Sequence, residues 1–325
     1  MVRLAVVGTG FQGQGHLASL KKIAGVELVA ICDKNEQTLR KAEKKTGLPA
    51  YSDCEKMLDE RKPDGVVLCT PPEARLAPIT KVVERRIPCF VEKPPAKDVR
   101  QGEQIHRLFE ESGVMNNVGF MFRYAGAVDQ CREWLRGRKV SLVRSAMLDG
   151  LAFRDHWPRW FFDKEKSGGA IFDQAIHIFD LCRYLLDDEV EAAAGFQENL
   201  VVAKSDNFTV EDSFSLSLRY RSGVLQNHTH SWAFDGYYTK IEFISDRLCL
   251  VLDLADGSVR GHLDEEPVFF QNEESFYERE LAQFAMAIRD QDSTRIRSDF
   301  GDSLKSLATT LGIVKALEKN SIVHF

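Results

Sequence analysis

A glycine-rich loop near the start of the chain constrains its fold more than any other feature of the sequence. Residues 4–7 form an apolar run that predicts a buried strand, and the loop Gly-Thr-Gly-Phe-Gln-Gly follows at residues 8–13. Leu17 and Leu20 then recur at helical spacing. Strand, glycine loop and helix in this order indicate a βαβ unit whose helix N-terminus offers unpaired N–H groups to the phosphates of a dinucleotide.

The three glycines of this loop have separate roles in such a unit. Gly8 allows a tight turn, Gly10 lets the backbone approach a pyrophosphate, and Gly13 lets the helix pack closely on the strand. The other residues of the predicted cofactor-binding loop are Thr9, Phe11 and Gln12. Glycines also make tight turns without a ligand, so this interpretation depends on the residues that follow.

An acidic residue stands where the second strand of the unit is expected to end. Asp33 follows the apolar run 26–32, about 20 residues after the last glycine, where a carboxylate receives the adenosine ribose hydroxyls of NAD. The same carboxylate would repel the additional 2′-phosphate of NADP. Lys34 lies beside it and would soften that repulsion, so NAD is favoured and NADP stays an alternative. A plain turn residue is the other interpretation of Asp33.

The first 122 residues alternate strand and helix signals. Apolar runs that predict strands lie at residues 4–7, 26–32, 65–69, 89–91 and 114–118. Helical patterns lie between them, at residues 35–46, 77–86 and 99–112. This alternation predicts an α/β Rossmann domain over 1–122, with a doubly wound parallel sheet covered by helices on both faces.

The remaining residues, 123–325, have a different pattern. Residues 172–186 are predicted to form a helix, strand-like runs recur at 224–233, 237–245 and 248–254, and two amphipathic helices close the chain. We therefore predict a second, α+β domain that begins at residue 123.

Charge and composition exclude several classes of protein. The net charge of −6 and the absence of a basic stripe argue against a nucleic-acid partner. No apolar run approaches the ~18 residues of a membrane span, and no signal peptide is predicted. The seven cysteines are scattered without a C-x-x-C pair, which favours reduced thiols, no metal site and a cytoplasmic protein.

Polar residues follow two strands of the predicted parallel sheet. Thr70 and Pro71 follow the third apolar run, and Glu92 and Lys93 follow the fourth. In doubly wound sheets ligands bind beyond the carboxyl ends of the strands, so both segments are predicted to face the cofactor. Lys93 would place a cation where a nicotinamide and its substrate meet, although an isolated lysine before a turn is more often a surface residue.

The second domain contains an acidic and a histidine side chain at helical spacing. Asp173 and His177 are four residues apart, so on a regular helix they share one face, and Asp180 lies close to the same face. Histidine suits proton transfer near neutral pH, and a neighbouring carboxylate can orient it or bind a substrate hydroxyl. A histidine that simply hydrogen-bonds a neighbouring acid is the alternative.

Taken together, these elements resemble the Gfo/Idh/MocA oxidoreductase family, which includes glucose–fructose oxidoreductase and inositol dehydrogenase. The resemblance covers nearly the whole chain. Its motifs are the glycine loop with His16, Thr70-Pro71, Glu92-Lys93-Pro94, Gly119-Phe120 with Arg123, and Gly168-Gly169 through Asp173, His177 and Asp180. Two positions depart from the family pattern: Arg75 stands where members often have histidine, and Ala170 where many have a third glycine.

The resemblance implies a Rossmann domain followed by an α+β domain with a large, mostly antiparallel open sheet that commonly forms dimers or tetramers. It implies that Lys93, Asp173 and His177 line the active site. By analogy, His177 takes the hydroxyl proton while the substrate carbon gives its hydride to nicotinamide, Lys93 polarises the oxygen, and Asp173 binds a substrate hydroxyl.

Several further side chains have open interpretations. Arg123 is predicted either to bind an anionic substrate group or to pair with a carboxylate of the fold. Trp157, Trp160 and Trp232 are candidates for an apolar platform for a sugar ring, with core packing or a subunit interface equally compatible. His228 and His230 share a face of a predicted strand, and without a third ligand we favour a structural or pocket role for them.

Three functions are compatible with these patterns. The first is an NAD-dependent dehydrogenase that acts on a hydroxyl of a sugar, cyclitol or related polyol, in a homodimer or homotetramer. The second is a non-catalytic dinucleotide-binding regulator on the same fold, against which the presence of both Lys93 and His177 argues. The third is an NADPH-dependent reductase of a non-sugar acceptor.

Overall fold

Two units divide the chain in the computed structural model, which describes residues 1–154 and 157–325. Unit 1 comprises Met1–Met121 and Ser275–Leu307, and unit 2 comprises Phe122–Glu274 and Ala308–Phe325. The α-helices of the described residues are α1 (Phe11–Leu20), α2 (Glu36–Thr46), α3 (Cys54–Arg61), α4 (Leu76–Glu84), α5 (Val99–Ser112), α6 (Gly126–Leu135), α7 (Lys164–Ser167), α8 (Ile176–Leu186), α9 (Phe276–Asp290) and α10 (Phe300–Lys319).

Unit 1 contains a six-stranded sheet in which all pairings are parallel. Its strands are β1 (Val2–Val7), β2 (Val26–Cys32), β3 (Ala50–Tyr51), β4 (Gly65–Leu68), β5 (Cys89–Val91) and β6 (Asn116–Val118). They lie in the order β3-β2-β1-β4-β5-β6, with β1 at the point where the order reverses. The predicted doubly wound Rossmann sheet is confirmed, with β3 as a short edge strand that its sequence did not reveal.

The helices of unit 1 begin and end where local chemistry favours it. The side chain of Asn35 caps α2 by accepting a hydrogen bond from Thr38 N at 3.0 Å, and Asp98 caps α5 in the same way. Gly47 and Gly113 end these two helices in the left-handed conformation. Such signals lie close to the residues they govern, which is why the sequence predicted α2 and α5 to within one residue.

Residues 275–307 belong to unit 1, whereas the sequence interpretation grouped them with the second domain. Leu281 and Phe284 of α9 are buried in the same apolar core as Leu4 and Val67. The ring centres of Phe284 and Phe90 are 5.8 Å apart. The apolar face of an amphipathic helix indicates that the helix packs against an apolar core, but it does not indicate which of the two sheets provides that core. Only the tertiary structure shows that α9 packs in unit 1.

Unit 2 contains a nine-stranded, mostly antiparallel sheet, which confirms the predicted fold class. Its strands are β7 (Leu142–Asp149), β8 (Val190–Glu198), β9 (Ser213–Tyr220), β10 (Leu225–Ser231), β11 (Tyr237–Ile244), β12 (Leu248–Asp253), β13 (Ser258–Leu263), β14 (Glu266–Gln271) and β15 (Val323–His324). They lie in the order β14-β13-β12-β11-β7-β10-β9-β8-β15, and only β7 and β10 pair in parallel.

The strands of this sheet alternate buried and exposed residues, as expected when one face is covered. In β10 the buried residues are Gln226, His228 and His230, and their neighbours are exposed or half-buried. Self-association through the open face stays a prediction, which light scattering of the purified protein would measure. None of the helices formed by the described residues is long and apolar enough to cross a lipid bilayer.

Candidate active site

The glycine loop of unit 1 has the geometry of a cradle for a bound group. Gly8 has φ +90°, a conformation that favours glycine, and a Cβ there would lie 2.7 Å from Cys69 C. A Cβ at Gly13 would lie 2.0 Å from the Gly8 carbonyl oxygen, so α1 packs against the loop only because this residue is glycine. A Cβ at Gly10, the N-cap of α1, would meet nothing within 4 Å. The space over Gly10 is therefore open for a ligand.

Asp33 connects the end of β2 to this loop. Its Oδ2 accepts hydrogen bonds from Thr9 N at 2.7 Å and Thr9 Oγ1 at 3.0 Å, and its Oδ1 accepts one from Asn35 N at 2.8 Å. A carboxylate has about four lone-pair sites, so acceptor capacity for a further donor remains on this half-buried side chain. Lys34, the next residue, is exposed.

The segment after β4 is held by a buried arginine. Arg75 Nε donates to Thr70 O at 3.0 Å and its Nη2 donates to Lys93 O at 3.3 Å, so one guanidinium joins the segments after β4 and β5. Burial lowers the pKa of Arg75 to about 10, so the side chain remains a cation at neutral pH. Thr70 Oγ1 and Arg75 Nη1 are buried and have no hydrogen-bond partner among the described residues.

A buried hydrogen bond between a histidine and a carboxylate lies directly before Lys93. Glu92 Oε1 is 2.5 Å from His16 Nε2, and both residues are 7% exposed. Burial raises the pKa of Glu92, but the hydrogen bond from His16 and the charges of His16, Lys93 and Arg75 outweigh it, so the pKa lies below its usual value. Glu92 is therefore a carboxylate at neutral pH and adds an anion next to the half-buried Lys93.

The fit of unit 1 to a dinucleotide rests on these features. The open space at Gly10, the unpartnered Thr70 Oγ1 among the described residues and the remaining acceptor capacity of Asp33 provide places for a pyrophosphate and for hydroxyl or amide groups. Pro71 is exposed beside Thr70, and Phe11 and Gln12 are exposed at the start of α1. The residues present therefore fit a dinucleotide such as NAD, and the cofactor-binding role of each predicted residue stays a prediction.

In unit 2, Asp173 lies in a π-turn, Ile171–Ala175, and His177 lies in the first turn of α8. The prediction of one regular helix over 172–186 was wrong in its first turn, because the backbone hydrogen bonds there follow the wider π pattern. Asp173 is half-buried, whereas His177 is 5% exposed and its ring contacts the Phe122 ring edge-on at 5.5 Å. Single π-turns are frequent at functional sites.

Arg123 pairs with a carboxylate of unit 2. Its Nε donates to Asp180 Oδ2 at 2.8 Å and its Nη2 donates to Asp180 Oδ1 at 2.6 Å, a bidentate arrangement with both side chains almost fully buried. The guanidinium also lies 4.8 Å from the centre of the Tyr184 ring. Of the two interpretations of Arg123, these contacts support the pairing within the fold.

Three of the four tryptophans lie in an aromatic cluster. The centre of the Phe161 ring lies 4.9 Å from that of Trp157, 4.6 Å from that of Trp160 and 6.3 Å from that of Trp232. Trp232 is fully buried, so it is a core residue, whereas Trp157 is half-buried.

The two histidines of β10 are buried in a polar row of the covered face. His228 Nδ1 is 2.9 Å from Ser145 Oγ, and His230 Nε2 is 3.2 Å from Gln174 Oε1. Burial lowers the pKa of His228 to about 3 and that of His230 well below its usual range. The described residues contain no group of three acidic, histidine or cysteine side chains that could hold a metal ion.

Sequence reasoning did not predict the contacts that two residues of this region make. Arg75 bridges two backbone carbonyls, and the sequence indicated its importance only by placing arginine where family members often have histidine. The sequence signal of Gln174 was that it is a second polar side chain directly after Asp173 in the otherwise apolar stretch 170–176.

Comparison with known proteins assigns the chain to a family. A family model described as "Oxidoreductase family, NAD-binding Rossmann fold" matches residues 2–120, and one described as "GFO/IDH/MocA C-terminal domain" matches residues 128–251. The chain belongs to the Gfo/Idh/MocA oxidoreductase family.

Two curated members of the Gfo/Idh/MocA family illustrate the similarity. The chain is 25% identical to the myo-inositol 2-dehydrogenase of Thermotoga maritima, over 76% of this chain and 73% of that protein. It is 28% identical to the scyllo-inositol 2-dehydrogenase (NAD(+)) of Bacillus subtilis, over 60% of this chain and 56% of that protein. The match to the second relative thus spans little more than half of its length.

Solved structures show the same fold over the whole chain. The scyllo-inositol dehydrogenase of Lactobacillus casei with bound NAD(H) and scyllo-inositol has a TM-score of 0.85 at 20% identity, covering 100% of this chain and 99% of that chain. The UDP-N-acetylglucosamine 3-dehydrogenase of Acidithiobacillus ferrooxidans has a TM-score of 0.85 at 17% identity, covering 98% of each chain. At these identities the likeness establishes the Gfo/Idh/MocA fold alone.

Gly10→Ala should weaken NAD binding about tenfold or more and leave thermal stability unchanged. Gly10 has φ −68° and ψ −157°, which alanine tolerates, and the added methyl group enters only the open space over the loop. Gly15→Ala is the matched control, because Gly15 is exposed in the same helix and its Cβ also meets nothing within 4 Å. Calorimetric titration with NAD measures both, and equal affinities would place the pyrophosphate elsewhere.

Proposed function

We propose that the protein is an NAD-dependent dehydrogenase that transfers a hydride between the cofactor and the CH–OH carbon of a cyclitol, sugar or related polyol. The observation that carries this proposal is the presence of His177 and Asp173 at a π-turn, together with Lys93 after β5, in a member of this family. The named functions of the inositol dehydrogenase relatives support the substrate class.

Each of these side chains has a task that its chemistry suits. The imidazole of His177 accepts the proton of the substrate hydroxyl as the carbon is oxidised, and returns it in the reverse direction. The Lys93 ammonium polarises the same oxygen and stabilises the negative charge that develops on it. The Asp173 carboxylate accepts a hydrogen bond from a neighbouring hydroxyl and orients the ring. The bound nicotinamide supplies the hydride chemistry.

We propose that NAD is preferred over NADP. The Asp33 carboxylate lies at the end of β2, and its Oδ1 has capacity to accept a hydrogen bond from a ribose hydroxyl. A 2′-phosphate at the same place would bring a second anion against this carboxylate. Lys34 is exposed, so its charge is screened by solvent and offsets only part of that repulsion.

Turnover of a substrate panel tests the proposal. Purified protein is incubated with cyclitols, aldoses and uronic acids, each with NAD and with NADP, while nicotinamide absorbance is followed. We expect turnover of at least one polyol, faster with NAD. Lys93→Ala and His177→Ala should each lower kcat by about 100-fold or more, because each removes a group that contacts the reacting oxygen.

Two exposed residues provide matched controls for these variants. Lys97→Ala and His262→Ala remove the same side-chain types from the surface and should leave kcat unchanged. Tight NAD binding without turnover of any compound, and Lys93→Ala and His177→Ala variants that behave as wild type in the cell, would instead favour a non-catalytic regulator.

A further inference from the structure

The side-chain amide of Gln174 has a defined orientation in the π-turn. The indole Nε1 of Trp232 lies 2.6 Å from Gln174 Oε1, and an indole nitrogen can only donate. The atom that faces Trp232 is therefore the amide oxygen. His230 Nε2, 3.2 Å from the same oxygen, must then donate as well, which fixes the neutral ring of His230 with its proton on Nε2.

The other end of the amide reaches the neighbouring strand. Gln174 Nε2 is 3.5 Å from Asp149 Oδ2, and Asp149 Oδ1 is paired with Arg154 Nη2 at 2.8 Å. Asp149 is the last residue of β7, and Trp232 directly follows β10, which pairs with β7 in register. One side chain of the π-turn is therefore held across the ends of two adjacent strands.

The groups that hold Gln174 are themselves buried and closely packed. Trp232 is fully buried, His230 is 2% exposed, and the His230 ring stacks on the Phe214 ring at 4.8 Å with 7° between the planes. Two buried donors, Trp232 Nε1 and His230 Nε2, converge on the amide oxygen and define its position. The amide can reach that position only when the backbone of the π-turn lies close to the sheet at Gln174.

We propose that Gln174 is a positioning residue of the active site, in which Trp232, His230 and Asp149 fix the π-turn that carries Asp173 and leads into His177. This inference rests on the proposed function, because it assigns Gln174 to the geometry of those two groups. Gln174 acts through its neighbours in sequence, since Asp173 directly precedes it and His177 lies three residues further along, in the first turn of α8.

The physical reason is the dependence of proton transfer on distance. A displacement of about 1 Å at a reacting group can lower a rate about 100-fold. A π-turn is rare and interrupts the regular α-helical hydrogen-bond pattern, so contacts from outside the turn contribute to its conformation. The contacts of Gln174 with Trp232, His230 and Asp149, called the Gln174 clamp below, are such contacts and come from the sheet.

Gln174→Met tests the proposal, since methionine has a similar length and no hydrogen-bonding amide. We expect kcat for the polyol substrate to fall about 10- to 100-fold, with a smaller change in KM and an NAD affinity within about twofold of wild type. Hydrogen–deuterium exchange of the peptide covering 171–177 should be faster, with or without a known substrate.

Gln226→Met is the matched control in the same unit. Gln226 is a buried amide on the covered face of β10, where it accepts a hydrogen bond from Tyr220 OH at 2.6 Å and donates to Ser145 Oγ at 2.9 Å. Its hydrogen-bond partners among the described residues, Tyr220, Ser145 and Cys182, lie outside the π-turn. Its loss should therefore reduce thermal stability about as much as the loss of Gln174, while kcat and exchange at 171–177 stay near wild type.

Trp232→Phe keeps the aromatic volume and removes the indole N–H, so it tests the clamp even if Gln174→Met does not fold. It should reproduce the faster exchange and part of the loss in kcat. Wild-type exchange and kcat in both Gln174→Met and Trp232→Phe would overturn the proposal, while loss of turnover in His177→Ala would still support the proposed function. If the wild-type protein turns over nothing, the proposed function fails and exchange alone decides whether Gln174 holds the turn.

Discussion

Arg123→Met should lower the free energy of unfolding by about 3–5 kcal/mol. The substitution leaves the Asp180 carboxylate, 1% exposed, without the two charge-assisted hydrogen bonds that it accepts at 2.6 and 2.8 Å. A buried charge that loses its partner retains its full desolvation cost, whereas methionine fills most of the same volume. Urea denaturation followed by circular dichroism measures the loss.

Two variants separate this cost from other effects of the substitution. Arg123→Met with Asp180→Leu removes both charges and should recover most of the stability, because a buried ion pair is often replaceable by apolar side chains. Arg132→Met is the matched control: Arg132 lies 4.2 Å from the centre of the same Tyr184 ring but is exposed, so its loss should cost less than about 1 kcal/mol.

The same experiment separates the two interpretations of Arg123. If Arg123→Met leaves stability unchanged but raises KM for an anionic substrate, the arginine binds substrate and the pairing with Asp180 is secondary. A large loss of stability in the single variant, with recovery in the double variant, establishes the arginine as a structural partner of α8.

Acidification from pH 7 to pH 5 should remove roughly 4 kcal/mol of folding free energy through His228 and His230. Burial lowers the pKa of both rings, to about 3 for His228 and well below the usual range for His230, where the neighbouring His228 adds to the effect. The unfolded chain takes up protons on these histidines below about pH 6.5, and the folded chain does not. Their contribution is therefore complete above pH 6.5 and is lost as the pH falls, by up to about 2.7 kcal/mol per pH unit for the pair.

Urea denaturation at a series of pH values measures this dependence. His228→Asn with His230→Gln should flatten the curve, since asparagine keeps an acceptor near Ser145 and glutamine keeps a donor near Gln174. Burial raises the pKa of Asp149, so this carboxyl adds folding free energy as the pH falls, opposite to the two histidines. It is one group against two. An unchanged slope in the double variant would mean that other groups cause the acid dependence.

Local signals account for most of what could be predicted about unit 1. The glycine loop, the caps at Asn35 and Asp98 and the apolar runs of β1 and β2 each act within a few residues, so their structural effect is visible in the sequence. The two-residue strand β3 has too little apolar sequence to be recognised. The assignment of α9 to unit 1 was missed because it depends on contacts with residues about 200 or more positions away.

For the candidate site, residue types could be predicted but partners could not. Lys93, Asp173 and His177 were predicted from the order of their motifs and from the family resemblance, both of which the sequence displays. The pairing of Arg123 with Asp180, the bridge made by Arg75 and the clamp on Gln174 join residues that are 57, 18 and 58 positions apart. Nothing in the spacing of such residues indicates their contact.

The sequence alone indicated a Rossmann unit, predicted that its loop at residues 8–13 binds a dinucleotide, and showed that the chain carries an acid, a histidine and a lysine suited to hydride-transfer chemistry. Tertiary structure decided how those groups are held. Backbone conformation and helix caps depend on residues that are neighbours in the sequence, so they can be predicted from the sequence. Burial and hydrogen-bond partners depend on which surfaces the folded chain brings together, so only the structure revealed the π-turn at Asp173, the buried neutral histidines of β10 and the amide of Gln174 between two strands.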